Sequence, residues 1–341
     1  MKISLRIFVF VVSLIFAGSL QAQDPSFSQF FSSPLNVNPA LTANINADWR
    51  LISNFRDQWI GPASPYVTGT ISYDSKILQK KIPNVETEGN IMGVGGMLMF
   101  DHAMAGIVKS TYASLNLSYS IKISETDSYT ERIGLGFGAI YGNRTIDFNR
   151  LTFEEQFTGF GFNTNLPTGE IALSNMKPYF SASAGILYSA KTLKSNFDLG
   201  VAGFHLNEPK QTFLKDKNQF LAIRKVAHAN FETFINERAV FNTNAIYQFQ
   251  QEANYFSIGA ALGYYVGNSM ESMITAGLWY WSRNALIPYV GLTYKDFQFG
   301  ISYDITTSKL NDAARKPKSW EVSIILRGVK KPTGVIPCPW K

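Results

Sequence analysis

Leu115-Asn116-Leu117-Ser118-Tyr119-Ser120-Ile121-Lys122-Ile123 places every apolar or aromatic residue on an odd position and every polar one on an even position. Side chains of a β-strand point alternately to opposite faces, so this stretch is a strand with one greasy and one wet face. The pattern recurs in Ile133-Gly134-Leu135-Gly136-Phe137-Gly138-Ala139, in Phe256–Tyr264, in Phe297–Asp304 and in Trp320–Ile324. The alternate partners are mostly Ser, Asn, Gly, Gln, Asp and Glu, which make a poor core for a soluble β-sandwich and suit a polar lumen.

Working outward, alternation and turn signals divide the chain into about fourteen strands, the first near 47–58 and the last near 317–328, with the one near 219–234 the least regular. The expected fold is all-β: a transmembrane antiparallel β-barrel of the outer membrane spanning 47–328, with N- and C-terminal segments outside the barrel. Such barrels alternate short periplasmic turns with longer external loops. With the N-terminus periplasmic, Asn236-Glu237, Gly267-Asn268 and Lys295-Asp296 are the tight turns, and 146–177, 206–218 and 307–316 are the long loops. Residues 78–89 are too long for a simple turn on that side. Tyr73, Tyr141, Tyr188, Tyr264, Trp279, Tyr280 and Trp281 lie near strand ends, where amphipathic rings form the girdles at the two membrane faces.

The 341 residues are 16% charged, below the roughly 25% usual for soluble domains, which excludes a disordered or coiled-coil chain. A basic start, the apolar run Ile7–Gly18 and Ala22 before a polar segment read as a secretory signal peptide over residues 1–22. Loss of Lys2 and Arg6 with it takes the formal charge from +6 to +4, too little to argue for nucleic acid as a partner. The only cysteine is Cys338, so no intrachain disulfide or cysteine-based zinc site forms.

Chemistry is sparse. His102, His205 and His228 form no i, i+4 pair, Glu154-Glu155 reads as a solvated charge pair, and Asp101-His102 has no nucleophile motif beside it. No catalytic, cofactor or metal residues are assigned. Gly134, Gly136 and Gly138 share one strand face, where they leave lumen space or let backbone approach.

The tails carry more. Residues 23–46 are polar, aromatic and broken by Pro25, Pro34 and Pro39, which rules out a central strand and leaves a plug or a periplasmic segment. Residues 329–341 continue past the last strand as a periplasmic tail. Asp24-Pro25-x-Phe27-Ser28-Gln29-Phe30, Pro34-Leu35-x-x-Asn38-Pro39-Ala40, Asn54-x-Arg56-x-Gln58-Trp59 and Ser72-Tyr73-Asp74 occur in that order, and Ser308-Lys309-Leu310, Trp320-Glu321-Val322 and Pro337-Cys338-Pro339 close the chain. This series resembles the PorP/SprF family of Bacteroidetes outer-membrane proteins over essentially the whole mature chain.

That resemblance implies membership of the type IX secretion and gliding machinery. It also implies a non-enzymatic role: binding a secreted, adhesin-like protein through its type B C-terminal domain, retaining it at the cell surface, and associating with other secretion components and outer-membrane lipid. Within that reading, Leu151, Phe153, Phe157, Phe160 and Phe162 of the longest loop are candidate partner-binding residues, with a lid folded over the lumen as the alternative. Asn38, Pro39, Arg56, Gln58, Trp59, Pro337, Cys338 and Pro339 are motif positions. The first five either pin the N-terminal segment inside the barrel, with Arg56 paired to Asp304 or Glu321, or form a docking surface for the machinery. A channel or transporter for a small solute is the rival function. A hydrolase would need a Ser, a His and an acid brought together at the rim.

Overall fold

The computed structural model describes residues 24–61, 64–77, 89–126, 128–170, 176–211, 219–267, 269–312 and 316–329. The expected signal peptide, most of the 78–89 connection and the tail carrying Pro337, Cys338 and Pro339 lie outside the described residues.

Fourteen antiparallel strands close into a barrel: β1 (Trp49–Ile60), β2 (Tyr66–Ile77), β3 (Ile91–Ala103), β4 (Val108–Thr126), β5 (Tyr129–Ile146), β6 (Tyr179–Thr192), β7 (Ser195–Phe204), β8 (Arg224–Phe234), β9 (Ala239–Gln250), β10 (Ala253–Val266), β11 (Ser272–Trp281), β12 (Ala285–Tyr294), β13 (Phe297–Thr306) and β14 (Lys318–Gly328). Each strand pairs with the next, and β14 pairs with β1 from Trp49 opposite Gly328 up to a register shift between Asp57 and Ile60. Closure leaves no sheet edge unpaired, which backbone in a bilayer requires. No helix among the described residues is long and apolar enough to cross a membrane.

Side-chain parity follows the alternation. Leu115 is 72% exposed and its neighbour Asn116 2%. Leu98, Phe137, Ile186, Leu262 and Ile301 face outward with Leu115, forming the apolar band that meets lipid. Exposed tyrosines bound it on both sides: Tyr73, Tyr119, Tyr264 and Tyr294 toward the short-turn end, and Tyr66, Tyr141, Tyr247, Tyr280 and Tyr303 toward the long-loop end.

Two sequence expectations need correction. Trp279 and Trp281 do not belong to a girdle. They point into the lumen and are buried, while Tyr280 between them faces out. Three consecutive aromatics carry no parity signal of their own, and the wide lumen needs filling. The strand expected near 219–234 begins only at Arg224. Before it, the Leu221 N–H donates to Pro209 O (2.9 Å) and Phe220 bridges Lys210, so 219–223 belongs to the outer loop rather than the wall.

Residues 24–48 run through the lumen. They form a single-turn helix (Pro34–Val37) between two 3-10 turns (Phe30–Ser32 and Pro39–Leu41), because prolines start turns but cannot feed a strand ladder. The segment starts at Asp24, beside the long-loop end of β9, and leaves at the other end, where the Asp48 N–H donates to Gly328 O (2.9 Å). The interior is therefore packed rather than water-filled. Its core combines Phe30 and Val37 of this plug with Phe204, Trp279, Trp281 and Tyr289 of the wall, more aromatic than the Ser, Asn, Gly and Gln lining expected.

Candidate functional site

The plug is held at three levels. At the outer level, the Asp24 carboxylate accepts from His205 Nε2 (2.7 Å) and lies 3.1 Å from Arg224 Nε, while the Asp24 N–H donates to Gln250 Oε1 (3.2 Å). Burial raises the Asp24 pKa, but His205 and Arg224 outweigh it and hold the carboxyl well below the usual carboxylate range. Ser181 Oγ sits 2.7 Å from His205 Nδ1, which assembles a Ser, a His and an Asp in one chain. Ser181 and His205 are both buried beside a cavity of about 20 Å³, and through them Asp24 of the plug is linked to β6 and to the end of β7.

At the middle level, Arg56 of β1 donates through Nη2 to Asp304 Oδ2 (2.7 Å), lies 3.6 Å from Glu321 Oε2 through Nη1, and stacks on Trp281 with its guanidinium 4.9 Å from the ring centroid. The side chains of Arg56 and Glu321 are 1% and 0% exposed. The plug completes this cluster. Ser28 donates its hydroxyl to Asp304 Oδ1 (2.7 Å), and the Ser28 and Gln29 N–H groups donate to Glu321 (2.7 and 3.1 Å). Gln29 also bonds Ser302 and Ser323, and Arg56 Nη1 donates to Ser26 O (3.2 Å). Two carboxyl groups, one guanidinium and the plug backbone thus form one buried cluster, in which Arg56 Nε alone of the guanidinium nitrogens has no hydrogen-bond partner.

At the inner level, Asn38 caps the Pro39–Leu41 turn by accepting from the Ala40 N–H (2.8 Å) and donates to Ile186 O and Val201 O across β6 and β7 (3.1 and 3.3 Å). Glycines make this approach possible: a Cβ on Gly136 would lie 2.1 Å from Ala40 N, and one on Gly185 2.0 Å from Asn38 Oδ1. Nearer the exit, the Ala43 N–H and Arg50 both donate to the buried Asp74 (2.7 and 2.8 Å).

Among the motif positions, Asn38, Pro39 and Arg56 are thus brought together with the lumen wall and buried there. Gln58 and Trp59 lie at the long-loop rim instead. The Trp59 N–H donates to Ser319 Oγ (3.0 Å), and its ring meets Tyr66 edge-on at 5.5 Å. Sequence reasoning missed Asp24, His205, Arg224 and Asp74. Inward-facing parity of a charged residue was an available signal for Asp74 and Arg224, which lie on β2 and β8, and not for Asp24 or His205, which lie outside the strands.

The long-loop end carries a second feature. Residues 147–170 leave β5 and brace against the β3–β4 connection, where the Asp147 N–H donates to Ile107 O (2.9 Å) and Arg150 Nη2 to Ala105 O (3.1 Å). Phe157 and Phe162 then face each other across a small hairpin, with ring centroids 5.2 Å apart and Gly159 and Gly161 at positive φ on either side of Phe160. Phe157 and Phe162 are exposed and Phe160 is wholly so, whereas Leu151 and Phe153 are half-buried.

Solved barrels share the architecture at low identity. The chain resembles the crystal structure of the Pseudomonas putida toluene transporter TodX, with 11% identity over 86% of this chain and 92% of that one and a TM-score of 0.46. It resembles the CymD monoaromatic hydrocarbon channel at 10% identity over 88% and 93%, TM-score 0.47, and a Pseudomonas aeruginosa FadL homologue at 13% over 91% and 95%, TM-score 0.42. No curated protein sequence matches the chain. A family model described as type IX secretion system membrane protein PorP/SprF matches residues 19–326, from before the plug to the last turn of the wall, and the chain belongs to that family.

Proposed function

We propose that this chain is a non-enzymatic outer-membrane barrel that holds a secreted surface protein, adhesin-like and bound through its C-terminal domain, at the outer mouth. The observation that carries this reading is the Phe157–Phe162 hairpin: three phenylalanines exposed together at the end of a braced loop, outside the apolar band that meets lipid. Exposed aromatic clusters of this kind are typical anchors of protein interfaces, where a few buried rings supply most of the binding energy. Family membership places the chain among the type IX secretion components it works with. A filled lumen weighs against an open diffusion pore, since the plug is bound to the wall at all three levels.

Deletion of residues 152–165 tests the proposal. The truncated barrel, verified by heat-dependent migration on gels, is expected to release the retained protein into the medium and to lose it in affinity purification. Unchanged surface retention by an assembled barrel overturns the assignment of the loop.

A further inference from the structure

A cavity of about 310 Å³ lies in the half of the lumen toward the short turns, between the plug and strands β7 to β14. Its deep wall is aromatic: Phe31 of the plug packs on Trp279 with ring centroids 4.7 Å apart, and Tyr289 meets both edge-on. Its mouth carries charge of both signs on separate arcs, Arg50 and Arg327 from the cross-strand pair of β1 and β14, and Asp198 and Glu232 from β7 and β8. Arg50 is paired with Asp74.

The direct side-chain hydrogen bonds of the other three go to neutral groups. Arg327 Nη2 donates to Gln298 Oε1 (2.8 Å), Asp198 Oδ1 accepts from Asn44 Nδ2 (3.1 Å) and Ser189 Oγ (2.6 Å), and Glu232 Oε1 accepts from Asn196 Nδ2 (3.4 Å). Among the described residues none of these three lies within 4.0 Å of an opposite charge, although cation and anions border the same space. Charges drawn partly out of water gain most from a charged, hydrogen-bonding partner. The volume is at the small end of ligand cavities, roughly 300–1,000 Å³, and admits one or two apolar side chains on a short backbone.

We propose that this cavity binds a short peptide from the short-turn side: an aromatic or aliphatic side chain against Phe31, Trp279 and Tyr289, a carboxylate at Arg327 and an ammonium at Asp198 and Glu232. A hydrocarbon would bring no counter-charge to any of the three, and a simple anion none to the two acids. The site lies at the opposite end of the lumen from the Phe157–Phe162 hairpin and stands or falls independently of the role assigned to it. The peptide is either a free oligopeptide or an exposed segment of a larger chain.

The test is titration of the full barrel in detergent micelles with the dipeptide Phe-Leu, followed by tryptophan fluorescence, to which Trp279 in the cavity wall responds. Saturable binding is expected, with affinity falling about tenfold or more in each of Arg327→Gln, Glu232→Gln and the cavity-filling Thr275→Trp, all in barrels that still migrate as folded. N-acetyl-Phe-Leu-amide and 3-phenylpropionate, lacking both charges or the ammonium, are expected to bind similarly more weakly. A blocked longer peptide with Lys and Glu flanking Phe-Leu separates the sources: binding as tight as the dipeptide identifies a segment of a larger chain, weaker binding a free oligopeptide. Absence of saturation up to about 10 mM dipeptide, affinity unchanged by Arg327→Gln and Glu232→Gln, or toluene competing as well as the dipeptide overturns the proposal.

Discussion

On the side of β1, β2, β13 and β14 the plug meets the wall through charge, with Arg56, Asp304, Glu321 and Asp74 each buried and each bonded to plug backbone or side chain. Toward β8 to β12, below the Asp24–Arg224 tether, it meets the wall mainly through rings and leaves a cavity bordered by Glu232 of β8 and, from across the lumen, by Arg327 of β14, each hydrogen-bonded to a neutral partner. The same segment therefore has a side that fixes its position and a side that leaves room. A buried charge constrains a neighbour tightly because separating the pair strands both members without water, whereas ring contacts tolerate sliding and solvent. Attachment belongs to the first side and binding capacity to the second.

The contrast is broken most forcefully by paired substitutions of arginine. Arg56→Ala leaves Asp304 and Glu321 buried without their cation and is expected to cost about 3–5 kcal/mol, the usual penalty for breaking a buried pair. Arg327→Ala, beside a cavity that admits water, is expected to cost under about 1 kcal/mol. Urea unfolding of both variants in micelles checks this, and equal losses would mean that the buried ion cluster at Arg56 holds the fold no more tightly than the cavity border at Arg327. Charge reversal at Arg56 sharpens the result: a stable barrel that no longer co-purifies with secretion components would reassign Arg56 from the plug to docking.

Glycines give the next effect. Gly185→Val drives carbon into Asn38 Oδ1 and Gly136→Val into the Ala40 backbone, each expected to destabilise by about 1–3 kcal/mol through overpacking. Gly263→Ala on the cavity side meets only the flexible end of Met273, its Cβ 2.7 Å from the sulfur, and is expected to fall within about 0.5 kcal/mol of wild type. Planar-bilayer recordings extend the comparison to the pore. The wild-type barrel is expected to conduct little and Gly185→Val to conduct in bursts as the Asn38 turn lifts from the wall. Steady large conductance from wild type would show that the plug does not seal.

Much of this was legible in the residue order. The parity of Leu115 to Ile123 declared a barrel wall because a two-residue period survives whatever the tertiary context, and Pro25, Pro34 and Pro39 declared a segment unable to join that wall. The partners of the segment were harder to read: Ser28 and Asp304 are separated by 276 positions, and only ring closure brings β13 and β14 to β1. Arg56 could be tied to Asp304 or Glu321 because a charge at inward parity needs a counter-charge. Asp24 could not be tied to His205, which sits just past the end of β7 with positive φ. The burial of Trp279 and Trp281 was hidden by Tyr280 between them. The cavity had no sequence signal, since it arises where the plug fails to reach.

The smallest expected effect concerns the outer tether and is read through pH. The carboxyl of Asp24 is held below the ordinary range by His205 and Arg224 against the opposing pull of burial, so its ionised form binds more strongly in the folded chain than in the unfolded one. A group of this sign contributes stability that is fully present above its unfolded pKa, near 3.9, and is lost as pH falls from there through the folded value. The stability difference between wild type and Asp24→Asn is therefore expected to be present at pH 5 and above and to shrink in stronger acid. The Arg56→Ala loss provides the reference measured in parallel. A difference already gone at pH 5 would mean that the Asp24 carboxylate carries no tether. The plug would then be held by the Arg56 cluster, Asn38 and Asp74, with its outer end free to move at the mouth where the Phe157–Phe162 hairpin stands.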